Sequence, residues 1–393
     1  MRNLIFICFV VVSSLAFCQE TKTDEPKNKD GKTAPQSEAE EKEVIEEVYS
    51  RERTKKVSSK KAEQEAAGMA ASSKSEQAIQ KEASTFNYYN GQSKTQRVQR
   101  SPTPTQQSEM NGAVSYFEVH APESFEYHYY KYIAGNHNTS LFNHLKEAEK
   151  IRPNNADVQA QLAAYYMIQN STEQVSTYLE KLVNNGRLAK SVVVYAEDVL
   201  RSVPKNGVLI THGFDDTYGV WYAQTKKGIR GDVKIVSLDL LQSTEYRGKL
   251  KKEGFTVPSA TVVDVKFLEQ FCQLNEKRNL AISLTTPKEY FQPILSSIYL
   301  TGLVFEYKET KYDNFWRNNT LWNSELQKKL VQNTMDAKGR ELSANYLPML
   351  MQMRKVYNQK GMQEKVNEMD SYIDAIGAQS KKYEQVQKMK SAY

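Results

Sequence analysis

Cysteine is scarce in this chain of 393 residues, which has three. Cys8 and Cys18 lie in the first eighteen residues, which leaves Cys272 alone in the remainder. A lone thiol excludes a framework of internal disulfides, so stability must come from a packed core. Cys272 sits in the apolar context "VKFLEQFCQL" with no histidine near it in sequence, which argues against a nucleophile. Glycine-rich phosphate loops are missing. No Gly-x-x-x-x-Gly-Lys-Ser/Thr occurs, and Gly213 and Gly219 lack the spacing of a dinucleotide fingerprint. The five histidines include His120, His128, His137 and His144, with separations of 8, 9 and 7 residues. None of these is the i, i+4 pair of a helical zinc site. The net charge of +6 is spread along the chain, without the basic cluster and stacking aromatics of a nucleic-acid surface. Beyond the N-terminus no run of apolar residues reaches the length of a membrane-spanning helix.

What is present begins with export. "MRN" followed by "LIFICFVVVSSLAF" and "CQE" has the basic start, apolar stretch and small residues of a secretory signal. Ala16 and Cys18 have the spacing for cleavage before Gln19, giving a signal peptide over 1–18 and a periplasmic or envelope-associated product. The alternative is lipidation of Cys18, for which bulky Phe17 is unfavourable.

Residues 19–111 are rich in Lys, Glu, Ser, Thr, Gln and Pro, and predict a disordered low-complexity arm. "GAVSYFEVHAP" predicts a short strand leading into the folded part. Residues 112–200 predict a helical domain. An offset of 34 residues lays Tyr132 on Tyr166, Asn136 on Asn170 and Leu145 on Leu179. That period is the length of a tetratricopeptide repeat. There are 24 Tyr against 14 Phe, which suits half-exposed packing between helices.

Residues 201–310 switch to strands alternating with helices: "VLITHG", "DVKIVSL" and "NLAISLTT" are strands. The expected fold class is α/β, a small parallel Rossmann-like sheet of three to four strands flanked by tetratricopeptide-like hairpins. Residues 311–380 predict further helical hairpins turning at Gly361, and 381–393 a fraying tail.

Open α/β sheets bind ligands beyond the carboxyl ends of their strands. "THGFDDT" after the first strand puts His212, Asp215 and Asp216 there, and Asp239 follows the second strand. These four are the candidate ligand-binding residues, for a saccharide or a divalent cation. Ser237, Thr285 and Thr286 are expected at the same edge. The competing expectation is structural, with Asp215 or Asp216 capping the helix that follows. No catalytic set is complete and no cofactor is implied. Protein partners in the cell envelope are the expected ligands of the helical hairpins.

"GVLITHGFDDTYGVWYAQTKKGIRGDVKIVSLDLL" resembles the soluble C-terminal part of a large bacterial membrane-protein family similar to protein O-mannosyltransferases. That family reads strand, Asn-Gly-Asp-Asn-Asp-Thr, an aromatic, then Leu-Trp-Tyr-x-Gln. This chain keeps Gly213, Asp216, Thr217, Tyr218, Trp221, Tyr222, Gln224, Gly228, Arg230, Asp232 and Val233. His212, Phe214, Asp215 and Ser237 depart from it. The resemblance covers about half the chain and implies a fold, helical repeats around a small α/β unit, more than a reaction.

Overall fold

A computed structural model describes residues 75–310, 312–333 and 336–391 of the chain. The expected signal peptide and most of the expected arm therefore lie outside the described residues. Residues 75–85 belong to a separate compact unit and are helical there. The architecture below is that of the unit starting at Phe86.

Five strands form one mixed sheet: β1 (Val208–Thr211), β2 (Lys234–Ser237), β3 (Leu280–Ser283), β4 (Ile298–Thr301) and β5 (Val304–Tyr307). Their spatial order is β2-β1-β3-β5-β4. β1 pairs in parallel with β2 and β3, whereas β5 runs antiparallel to both β3 and β4. The sheet is thus larger than expected and only half parallel. The difference lies in "SSIYLTGLVFEYK", where Gly302 at φ +57° turns the chain back on itself after four residues. An antiparallel hairpin needs no crossover helix, so it extends the sheet cheaply. β1 and β3 are buried along their full length, which explains their unbroken apolar runs.

The crossover after β1 is helix α8 (Phe214–Thr225), and those after β2 are α9 (Thr244–Lys252) and α10 (Val265–Leu274). Ahead of the sheet run α1 (86–95), α2 (Pro104–His120), α3 (Phe125–Ala134), α4 (Phe142–Ile151), α5 (Ala156–Gln169), α6 (Thr172–Asn184) and α7 (Lys190–Ser202). Helices α3 with α4, and α5 with α6, are hairpins, and Tyr166 stacks on Tyr178 at 5.7 Å within the second. Asn136 and Asn170, the pair aligned at an offset of 34, both adopt left-handed φ, 48° and 62°. Asparagine tolerates that conformation better than other side chains. Between β3 and β4 lies α11 (Lys288–Phe291), and after β5 come α12 (Phe315–Thr320), α13 (Lys329–Gln332), α14 (Ala337–Ser343), α15 (Leu347–Gln359), α16 (Gln363–Gln379) and α17 (Tyr383–Ser391). Among the described residues no helix is long and apolar enough to cross a membrane.

Three local expectations need correction. "GAVSYFEVHAP" is not a strand; its residues up to His120 form the end of α2. Thr103 closes a capping box with Gln106, Pro104 opens the helix, and Met110, Ala113, Val114 and Phe117 fill one buried face at helical spacing. Within the expected arm, residues 86–95 are helical and continue into an irregular, bent segment over 96–103 with one isolated bridge from Gln99 to Asp264. Phe86 is fully buried and stacks on Tyr130 at 3.9 Å. A few well-placed anchors hold a segment whose average composition is polar. The expected tail over 381–391 contains α17, which docks on α16 through buried Val386 and Met389.

Candidate functional site

Gly213 lies at φ +81°, ψ 176°, a conformation nearly restricted to glycine, and it turns the chain from β1 into α8. The turn brings the Asp216 carboxylate back beneath it. One Asp216 oxygen accepts the His212 N–H at 2.9 Å and the other accepts the Ser283 hydroxyl at 2.8 Å, tying the end of β1 to the end of β3. Asp216 therefore does not cap the free N–H groups of α8, as expected from sequence. It holds the residue before the helix. Asp239, beyond β2, accepts the Gly213 N–H at 2.6 Å. Its other oxygen accepts from Arg100, at 2.8 Å from Nε and 2.5 Å from Nη2. Between them runs a line of hydroxyls: Thr211 to Thr217 at 2.9 Å, and Thr217 to Ser237 at 3.2 Å. Thr285 bonds Ser283 at 2.9 Å, while the Thr286 hydroxyl is buried without a partner.

Three of the four expected residues, His212, Asp216 and Asp239, thus meet at one turn. Asp215 does not join them; it pairs with Lys338 on α14 at 3.1 Å and stays about one-third exposed. The His212 ring packs edge-on to Tyr290 at 5.6 Å, and its Nε2 is buried without a partner.

Burial acts differently on the two carboxyls. It raises Asp216 to about 7, against the His212 N–H and the Ser283 hydroxyl that favour the anion. It would raise Asp239 too, but the Arg100 guanidinium outweighs it, and Asp239 falls to about 2. Burial and the Arg100 cation together lower His212 to about 3, so the imidazole is neutral.

Arg100 is a residue that sequence reasoning missed. It comes from the segment assigned to a disordered arm, 139 positions before its carboxylate. The segment is held to the α/β unit by backbone bonds, Arg100 N–H to Val263 O at 2.7 Å and Val265 N–H to Val98 O at 3.2 Å. Nothing in "QRVQRSP" marks the second arginine as buried. Beside the ion pair lies a cavity of about 70 Å3 whose wall includes Lys94, Arg100, His137 and Asp239. Burial lowers the pKa of Lys94, and lowers His137 to about 4.

Elsewhere, His128 and His144 meet across the first hairpin, their Nδ1 atoms 3.0 Å apart. No group of three or more His, Cys, Asp or Glu placed to hold a metal exists among the described residues. Cys272 is fully buried, and burial pushes its thiol far above the ordinary range, an inert core position.

At this carboxyl edge of the mixed sheet both buried carboxylates are engaged by hydrogen bonds from the chain itself. That defines a class: a small mixed α/β unit set among helical hairpins, its crevice sealed from within. Residues 192–390, just over half of the chain, match the model of TMEM260-associated domain 2. The chain belongs to that family, a domain of TMEM260 in the protein O-mannosyltransferase-like group. The matched region starts in α7 and takes in the sheet and the final helices. Comparison with curated proteins and with solved structures gives no match.

Proposed function

We propose that this chain is an exported, envelope-associated interaction protein whose α/β unit is non-catalytic. The observation that supports it most is the seal on the crevice. Both oxygens of Asp216 and both of Asp239 accept hydrogen bonds within the chain, and Arg100 covers Asp239. A general base must reach its substrate at hydrogen-bond distance, and here every carboxylate oxygen is already engaged by a donor of the chain itself. The finer kinship is to the soluble C-terminal part of the bacterial mannosyltransferase-like membrane proteins, and it rests on Gly213, Asp216, Thr217, Trp221 and Gln224. In that reading the unit is an accessory module, and the helical hairpins meet protein partners. Export rests on the N-terminal eighteen residues.

The test has two arms. The full chain, expressed in its own envelope, is expected to start at Gln19 by mass spectrometry; retention of the N-terminal segment would overturn export, and a lipidated Cys18 would make it a lipoprotein. The purified protein is expected to turn over neither nucleotide sugars nor polyprenyl-phosphate sugars. Turnover lost in Asp216→Ala would overturn the non-catalytic reading.

A further inference from the structure

We infer that the cavity between the N-terminal segment and the carboxyl edge of the sheet is a binding site for a small oxyanion, a phosphate or carboxylate group. This goes beyond the proposed function and does not depend on it. The cavity of about 70 Å3 is walled by residues of α1, the irregular segment after it, the loop after α3, α5 and the turn after β2. Since one water occupies about 30 Å3 of liquid, there is room for a group of a few heavy atoms. Nucleotide or oligosaccharide pockets are larger, on the order of 300 Å3 and up.

The charges at the wall select an anion. Arg100 and Asp239 neutralise each other in their ion pair at 2.5 Å. Lys94 remains, and among the described residues its Nζ has no hydrogen bond or ion pair. Lys94 is an exposed residue, and desolvation lowers its pKa against the opposing pull of the Asp157 and Asp239 carboxylates. His137 supplies the second observation. Its Nδ1 is buried with no partner and its ring lines the cavity. A buried polar atom without a partner in a polar cavity marks a position for an absent group. The backbone there is left-handed at two successive residues, Asn136 at φ 48° and His137 at φ 63°. Nδ1 is closed off as the ring stands, so a small turn of the neutral imidazole would let it donate to an oxyanion, and the Asn90 and Gln161 amides in the same wall supply further donors.

Lys94 and Arg100 belong to the N-terminal segment, whereas His137, Gln161 and Asp239 belong to the body it packs on. A bound anion would therefore clip the segment to the sheet edge.

The experiment is a thermal-shift and calorimetric titration of the full chain with inorganic phosphate and, separately, with acetate. Each is compared with sodium chloride at equal ionic strength. A saturable rise in midpoint is expected with at least one of the two, by mass action on the folded state. Phosphate alone would point to phosphoryl-bearing ligands, and acetate to carboxylates. Lys94→Gln is expected to weaken binding by about tenfold or more, the loss of one charge-assisted contact. His137→Asn keeps a residue suited to the left-handed backbone, so it retains the fold and is expected to weaken binding as well. It decides the matter if Lys94→Gln does not fold. Lys150→Gln, at a side chain 76% exposed, is the control and leaves binding unchanged. Absence of a saturable rise with both anions, or wild-type binding in His137→Asn, would overturn the assignment.

Discussion

The ends of β1 and β2 carry a buried carboxyl each, and the molecule treats them in opposite ways. At the end of β1, Asp216 meets only neutral donors, and burial holds it near neutrality, at about 7. At the end of β2, Asp239 meets Arg100 and stays ionised down to about 2. The hydrogen-bond counts are similar; the difference is one guanidinium brought from outside the sheet. A neutral donor offsets part of the cost of burying a charge, whereas an opposite charge at hydrogen-bond distance can reverse it.

Removing that guanidinium breaks the comparison. Arg100→Met leaves a charge without its partner beneath the turn, and should cost about 3 kcal/mol or more. Urea unfolding gives the figure, and protease cleavage within 96–103 should appear at the same time, because the ion pair helps hold that segment. A loss below about 1 kcal/mol, the range of an exposed pair, would mean that the pair is not a functioning anchor.

Two glycines then separate backbone strain from steric crowding. A methyl group at Gly302, on the antiparallel half, would run into the Ser202 side chain as well as a φ of +57°. Gly302→Ala should cost about 3 kcal/mol, since overpacking adds to strain. At Gly213 a Cβ meets nothing within 4 Å, so Gly213→Ala carries the conformational cost alone, about 2 kcal/mol. Equal losses at the two positions in chemical denaturation would refute that division.

A pH scan sharpens the contrast between the carboxyls. Asp239 has a folded pKa below its ordinary 3.8, so its stabilisation is present above that value and is lost as pH falls toward about 2. Asp216 has a folded pKa above 3.8, so its contribution is full below 3.8 and is lost as pH rises through about 7. Asp216→Asn keeps an acceptor for the His212 N–H and cannot ionise. It should flatten the decline in stability between these two values, and near pH 8 be more stable than the parent by about 1 kcal/mol. An unchanged slope would show that Asp216 does not titrate there. The smallest effect belongs to Asp215→Ala, which breaks only the partly exposed pair with Lys338 and should shift stability by about 0.5 kcal/mol or less.

Much of this was legible in the residues. "VLIT", "KIVS" and "LAIS" are strands where their apolar runs fall, and Gly361 sits at its turn with positive φ. His212, Asp216 and Asp239 were placed at the sheet's carboxyl edge by topology alone, and they do meet there. Asp215 was placed with them and turns away, because successive residues on α8 face different directions. The sheet's antiparallel half runs against the expectation of a parallel sheet of three to four strands, because a four-residue strand carries too short a pattern to show which partner it will choose. The segment from Phe86 to Pro102 was misread by its average composition. Two of its buried side chains meet residues distant in sequence, Phe86 stacked on Tyr130 and Arg100 paired with Asp239.

The sequence by itself determined many of the periodic elements: the helical hairpins around the sheet, where the first three strands alternate with helices, and that a lone thiol outside the N-terminus leaves no disulfide framework. These follow from local sterics and from burial patterns that repeat within a few residues. Only the tertiary structure decided that Arg100 sits on Asp239, that the crevice is sealed from within, and that Lys94 and His137 face one cavity. Those are contacts between residues tens to more than a hundred positions apart, and a desolvated charge finds its partner through the packing of the whole chain.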